Sequence, residues 1–195
     1  VVIFVNKGLH EYGGDLSLGA YGIANRMAFI FVMITMGINQ GMQPIAGYNF
    51  GAQRMDRLMQ VLKYSMIAAT AVTTTGFLVA ELVPTLCARL FTSDATLTGM
   101  SATAIRIIMV TFPIVGFQMV ITNFFQSIGK AKISMFLSLS RQMLFLLPLL
   151  ITLPLWFGVD GIWWAMPISD TIAALVTLVL MATYMKRFRR KYNCA

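Results

Sequence analysis

Four charged residues in this chain fall where charge is expensive: Arg26, Arg106, Arg141 and Asp170 all stand inside long apolar stretches. A carboxylate at depth in hydrocarbon costs about 2.5 to 3.5 kcal/mol on insertion scales, so Asp170 must be paired, protonated or solvated by a cavity. Arg26 and Arg106 lie at a similar distance from the ends of their own helices, and either could pair with it. Arg141 is close enough to the other face for its guanidinium to snorkel toward water. Two polar stripes accompany these charges. Thr35, Asn39 and Gln43 repeat at one-turn spacing, and Thr111, Gln118, Thr122 and Gln126, with Asn123 beside them, form a second line. Such faces avoid lipid and look at another helix or a watery cavity.

The elements that carry them are apolar. Hydrophobic residues make up 58% of the chain and charged residues 11%, with a mean hydropathy of +0.76. A soluble domain carries about 25% charged residues, so a water-solvated fold is excluded. The spacing predicts an all-α, polytopic membrane bundle with helices at about 18–46, 58–83, 101–128, 133–157 and 162–185, and residues 1–9 as the end of another. Gly41, Pro44, Gly47 and Gly51 predict a kinked or frayed end to the helix that carries them, and Pro113 with Gly116 predicts a kink inside the 101–128 helix. Pro148 and Pro154 predict a bend in the helix after that, and Trp156, Trp163 and Trp164 read as an aromatic belt at the interface.

Charge gives an orientation. Of fifteen Lys and Arg residues, ten lie in alternate links and the tail, two in the opposite links and three inside spans. The positive-inside rule then puts the links near 51–57 and 129–132, and the basic run from Lys186 to Lys191, in the cytoplasm. The net charge of +8 therefore faces anionic lipid and calls for no nucleic acid. Cys87 and Cys194 fall on opposite sides and cannot pair within one chain. There is no zinc-type cluster, no HExxH, GxSxG, GxGxxG or P-loop, and no deep His beside a Ser. No catalytic residue, no metal ligand and no cofactor are expected. The apolar opening at Val1 suggests a chain that begins partway through a longer protein.

Several short runs resemble the C-terminal half of multidrug and toxic compound extrusion (MATE) transporters. They are Tyr12-Gly13-Gly14-Asp15, Gln40-Gly41-Met42-Gln43-Pro44-Ile45 leading into Gly47-Tyr48-Asn49-Phe50-Gly51-Ala52, then Asn123 to Lys130, Ser140-Arg141-Gln142, and Gly161-Ile162-Trp163-Trp164 ahead of Pro167-Ile168-Ser169-Asp170. The resemblance covers essentially the whole chain. It implies twelve helices in two six-helix lobes, of which residues 1–195 would be the C-terminal one with its first helix truncated. It also implies export of organic, often cationic, drugs across the inner membrane in exchange for H⁺ or Na⁺ by alternating access. The partners it implies are the drugs, the lipid bilayer and the N-terminal lobe of the same protein. On that basis Thr35, Asn39, Gln43, Gln118, Thr122, Asn123 and Gln126 are candidates to line the cavity between lobes. Asp170, Arg26, Arg106 and Arg141 are candidates for coupling or ion pairing. One departure stands out: family members that bind a cation in this lobe use an acid on the fourth helix, and this chain has none between Met100 and Lys130. A related flippase for lipid-linked saccharides and a non-transporting membrane scaffold are the alternative readings.

Overall fold

A computed structural model describes residues 2–192; Cys194, and the side chains of Tyr12 and of the basic run beyond Lys186, lie outside what it describes. Among the described residues the chain is helical without strands: α1 (Val2–Gly51), α2 (Met55–Leu82), α3 (Pro84–Arg89), α4 (Ala95–Met109), α5 (Phe112–Ser127), α6 (Ala131–Leu139), a π-helical segment (Ser140–Leu146) and α7 (Leu147–Tyr192). Large apolar side chains lie exposed along these helices, among them Phe29, Met33, Tyr64, Leu144, Leu155 and Val179. An apolar outside with internally satisfied helical backbone is the arrangement that lipid selects.

Two of the long helices are interrupted by glycine. Gly14 (φ 64°, ψ −168°) breaks α1, and Gly158 (φ 58°, ψ −132°) breaks α7. Both are conformations that a Cβ disfavours and glycine accepts. At Gly158 the chain doubles back: a Cβ on Gly161 would sit 2.6 Å from the Leu153 carbonyl oxygen, whereas eight residues of straight helix span about 12 Å. Residues 131–186 are 56 in number, about 84 Å if straight, so they cross a bilayer of about 30 Å hydrocarbon twice rather than once. With residues 13–51, 55–82 and 95–127, that makes five apolar crossings among the described residues.

Three expected bends are placed differently. The break in the 95–127 crossing lies at Val110–Thr111, where the axis turns by 48°. Pro113 sits in the first turn of α5, where its missing N–H leaves no bond unmade. Gly116 serves packing instead, since a Cβ there would lie 2.9 Å from the Ala69 carbonyl oxygen and overlap the Thr73 side chain. The helix bearing Pro44 neither frays nor stops; it runs on to Gly51. In the following crossing the irregular stretch is the π segment, which ends just before Pro148. An i→i+5 pattern gives one extra residue per turn where the pyrrolidine ring would otherwise meet the residue 144 carbonyl.

The core falls into two apolar clusters. One gathers Leu9, Ala24, Met27, Ala80, Ile105, Phe112 and Ile162 near the glycine breaks. The other gathers Met42, Leu58, Leu62, Val120, Phe124, Phe125 and Leu137 toward the tail end. Phe125 stacks edge-on against Phe124 and Tyr184 in the second cluster.

Candidate functional site

Between the two clusters every crossing places polar groups. On α1 these are Thr35 and Asn39, on α2 Thr73, around the α4–α5 break and on α5 Thr111 and Gln118, in the π segment Ser140 and Arg141, and on α7 Ser169 and Asp170. Thr35, Asn39, Thr73, Thr111, Gln118, Ser140 and Ser169 are all buried. The lobe therefore has a polar layer at mid-depth between two apolar ones.

The α1–α5 side of this layer is set by register. Gln43 Nε2 donates to Asn123 Oδ1 at 2.9 Å, and a Cβ on Gly47 would lie 3.4 Å from the Ser127 carbonyl oxygen. Equal steps of four along both helices mean that they run parallel, which brings Asn39 to about the level of residue 119. Thr35, Thr73 and Thr122 return their hydroxyl protons to carbonyls of their own helices, Phe31, Ala69 and Gln118 respectively. Asn123 Nδ2 likewise donates to the Met119 carbonyl. Asn39 Nδ2 and Oδ1, Gln118 Oε1 and Thr111 Oγ1 are buried without a protein partner. Interior polar groups are nearly always satisfied, so this part of the layer has hydrogen-bonding capacity in reserve.

The expected stripes divide accordingly. Thr35, Asn39 and Gln118 are 0%, 2% and 3% exposed and face the interior of the bundle, so they do not form one continuous surface with the rest. Gln43, Thr122 and Asn123 are half-buried and Gln126 is exposed. Helical spacing alone could not separate these, because burial depends on which neighbour covers each turn.

The charged residues pair differently from expectation. Asp170 pairs with neither Arg26 nor Arg106. Arg141 Nε donates to Asp170 Oδ1 at 2.7 Å, and Ser169 Oγ donates to the Arg141 carbonyl at 3.1 Å. The reversal at Gly158 explains it: two legs running back from that turn bring Asp170 within about one turn of Arg141, and the long arginine stem spans the remainder. Arg141 is therefore anchored on one side rather than only reaching for water, with 36% of its side chain exposed against 13% for Asp170. Arg106 instead meets Glu81, with Nε 3.7 Å from Oε2 and Nη2 donating to the Glu81 carbonyl at 3.3 Å. Arg26 is exposed on a face of α1 where Cβ atoms on Gly22, Gly37 and Gly41 would meet open space.

No cluster of three or more metal-ligating side chains occurs among the described residues. Cys87 is buried, and burial pushes its thiol up from the ordinary value despite a backbone hydrogen bond that acts the other way. A thiol held protonated is a poor nucleophile. The layer offers neutral donors and acceptors and one half-buried ion pair.

A bundle of long apolar helices with polar groups buried between its two apolar clusters is the construction of a multi-pass membrane protein. The chain belongs to the MatE family, whose model matches residues 2–152. It is 26% identical over 183 residues to the multidrug export protein MepA of Staphylococcus saprophyticus, covering 90% of this chain and 38% of that protein. It is 25% identical to MepA of Staphylococcus haemolyticus, covering 95% and 40%. Among solved structures, the MATE multidrug transporter DinF-BH, solved as a complex, is 36% identical and superposes with a TM-score of 0.81, covering 98% of this chain and 42% of that one. A MATE crystal structure in a bent conformation gives a TM-score of 0.90 at 18% identity, covering 99% and 43%, a likeness of fold. The chain thus spans about two fifths of the length of these relatives.

Proposed function

We propose that these residues form the C-terminal lobe of a multidrug efflux antiporter, which exports organic, often cationic, compounds in exchange for H⁺ or Na⁺ by alternating between outward-facing and inward-facing states. The observation that carries this reading is the polar layer with free capacity at Asn39, Gln118 and Thr111, in a chain that belongs to the MatE family. Neutral amides and hydroxyls give weak, adaptable hydrogen bonds. Fifteen Met and fourteen Phe residues supply polarizable apolar surface suited to varied ligands.

In this reading the half-buried Gln43, Thr122 and Asn123, with exposed Gln126, meet substrate at the cavity between lobes. Arg26 stands on the same open face of α1, and Thr35, Asn39 and Gln118 support them from behind. The Arg141–Asp170 pair holds the last hairpin and couples it to state change, while Arg106 is a structural partner of Glu81. The protein performs no covalent chemistry and needs no cofactor beyond its coupling ion. Its tail faces the cytoplasm across the inner membrane, by the charge asymmetry of its links. Its partners are drugs, lipid and the N-terminal lobe, and nucleic acid has no part.

The test is drug accumulation in cells making the intact protein, with and without an uncoupler. Lower accumulation that the uncoupler restores supports antiport. Equal accumulation in producing and non-producing cells refutes it.

A further inference from the structure

Positive charge is sparse at the end of the lobe that carries the glycine turns, since ten of the fifteen Lys and Arg residues lie in the other links and the tail. Two arginines from different elements nevertheless converge there: Arg89 at the end of α3 and Arg106 on α4 stand on the wall of one pocket of about 400 Å³. The chain builds it by turning at Val83 between α2 and α3. Pro84 opens α3 in its first turn, where no N–H is needed, and Cys87 and Ala88 pack that helix into the core. The other side of α3 therefore faces out, with Leu86, Arg89 and Leu90 exposed.

The two guanidiniums are held differently. Arg106 is oriented by Glu81, through Nε and Nη2, which leaves Nη1 and its two N–H groups uncommitted. Arg89 makes no ion pair or hydrogen bond among the described residues. No acid stands on the pocket wall to neutralise it, and Asp94 is committed to the Thr96 and Leu97 amides. The rest of the wall is apolar: Leu82, Val83 and Leu86 line it and are exposed, and Leu78 extends the exposed strip one turn back along α2. Arg89 also borders a second pocket, beside the hydroxyl residues Thr85, Thr92 and Ser93. A soluble anion would satisfy the arginines and leave the leucine strip uncovered, whereas an amphiphile with an anionic head covers both. Arg106 is 55% exposed, so lipid at the interface reaches it without rearrangement of the protein.

We propose that this surface holds an anionic phospholipid, with its phosphate between Arg89 and Arg106, its acyl chains along Leu78, Leu82 and Leu86, and the hydroxyls of its head group toward Thr85, Thr92 and Ser93. Guanidinium groups match phosphate oxygens in geometry as well as charge. A zwitterionic lipid brings its own cation to the arginines and gains less. The site lies away from the polar mid-layer and rests on the membrane fold alone, not on the transport reading.

The test uses the intact protein in phosphatidylcholine nanodiscs, with a bimane fluorophore on Leu82→Cys and the same protein lacking that substitution as background. The probes are brominated phosphatidylglycerol and brominated phosphatidylcholine, each added in rising proportion to quench the label. Phosphatidylglycerol should reach half-quenching at an about fivefold lower mole fraction, the worth of one uncompensated arginine at an anionic surface. Arg89→Gln should bring the two lipids close to equality, and Arg89→Lys should keep part of the difference. A label on Leu155→Cys, exposed on α7 away from both arginines, should show no preference. Equal quenching by the two lipids at Leu82, the same preference at Leu155, or a preference that survives Arg89→Gln overturns the proposal. Loss of the preference in millimolar glycerol 3-phosphate would make a soluble phosphate the occupant and overturns it equally.

Discussion

Arg141 and Asp170 stand 29 residues apart in sequence and 2.7 Å apart in space, joined across the two legs of a hairpin that a single left-handed glycine creates. Breaking such a pair from one side leaves an uncompensated charge in a poorly solvated place. Arg141→Gln alone should lower the stability of the intact protein by about 1 to 2 kcal/mol, between the values for exposed and fully buried pairs, because Arg141 is 36% exposed. Adding Asp170→Asn should restore most of the loss. Thermal unfolding in detergent of both single variants and the double one measures the coupling, and additive losses would mean that the contact carries no energy.

The same pair carries the coupling role proposed above. Asp170→Asn in the intact protein should therefore change drug resistance or its dependence on external pH while the protein still reaches the membrane. If resistance, expression and pH dependence all stay at parental levels, that role is wrong.

Gly158 should tolerate no side chain. Its φ of 58° with ψ of −132° is nearly closed to residues with a Cβ, so Gly158→Ala should cost about 1 to 3 kcal/mol. Gly14→Ala, at φ 64°, should behave alike. Gly99→Ala, in open space on α4, should instead stabilise by up to about 1 kcal/mol through helix propensity. Melting temperatures of the three variants give the ranking, and equal shifts would contradict the assigned backbone conformations.

Gly116 should be intolerant for a different reason, a contact with α2. Gly116→Ala should destabilise by about 1 to 3 kcal/mol, and removing the overlapped hydroxyl with Thr73→Ala should recover part of it. Folded yield after detergent extraction is a sufficient readout. No recovery in the double variant would place the clash at the Ala69 carbonyl alone.

The all-α membrane class was legible because lipid imposes it on composition: long apolar stretches and a low charge density permit little else. Family membership was legible from short runs at helix ends, where glycines and amides sit at turns. The polar residues of the mid-layer were also visible, since threonine, asparagine, glutamine and aspartate stand out against leucine and methionine. Their partners were not. Asp170 was matched by depth alone, and depth does not say which helix is adjacent; that followed only once Gly158 fixed the turn. Asn39 and Gln126 share helical spacing with their stripes yet differ in burial, because cover comes from other helices. Trp163 reads as part of an interface belt with Trp156 and Trp164, but it is buried while those two are 83% and 46% exposed. Three aromatics around one tight turn cannot all face the same solvent.

The proposed function makes this chain one lobe of a drug exporter that needs its counterpart to work. The most direct measurement is ethidium flux in liposomes under an imposed H⁺ or Na⁺ gradient, comparing the intact protein with residues 1–195 alone. The account predicts gradient-driven flux from the intact protein and none from the lobe. Vectorial flux from the lobe alone, or none from the intact protein under either gradient, would contradict it.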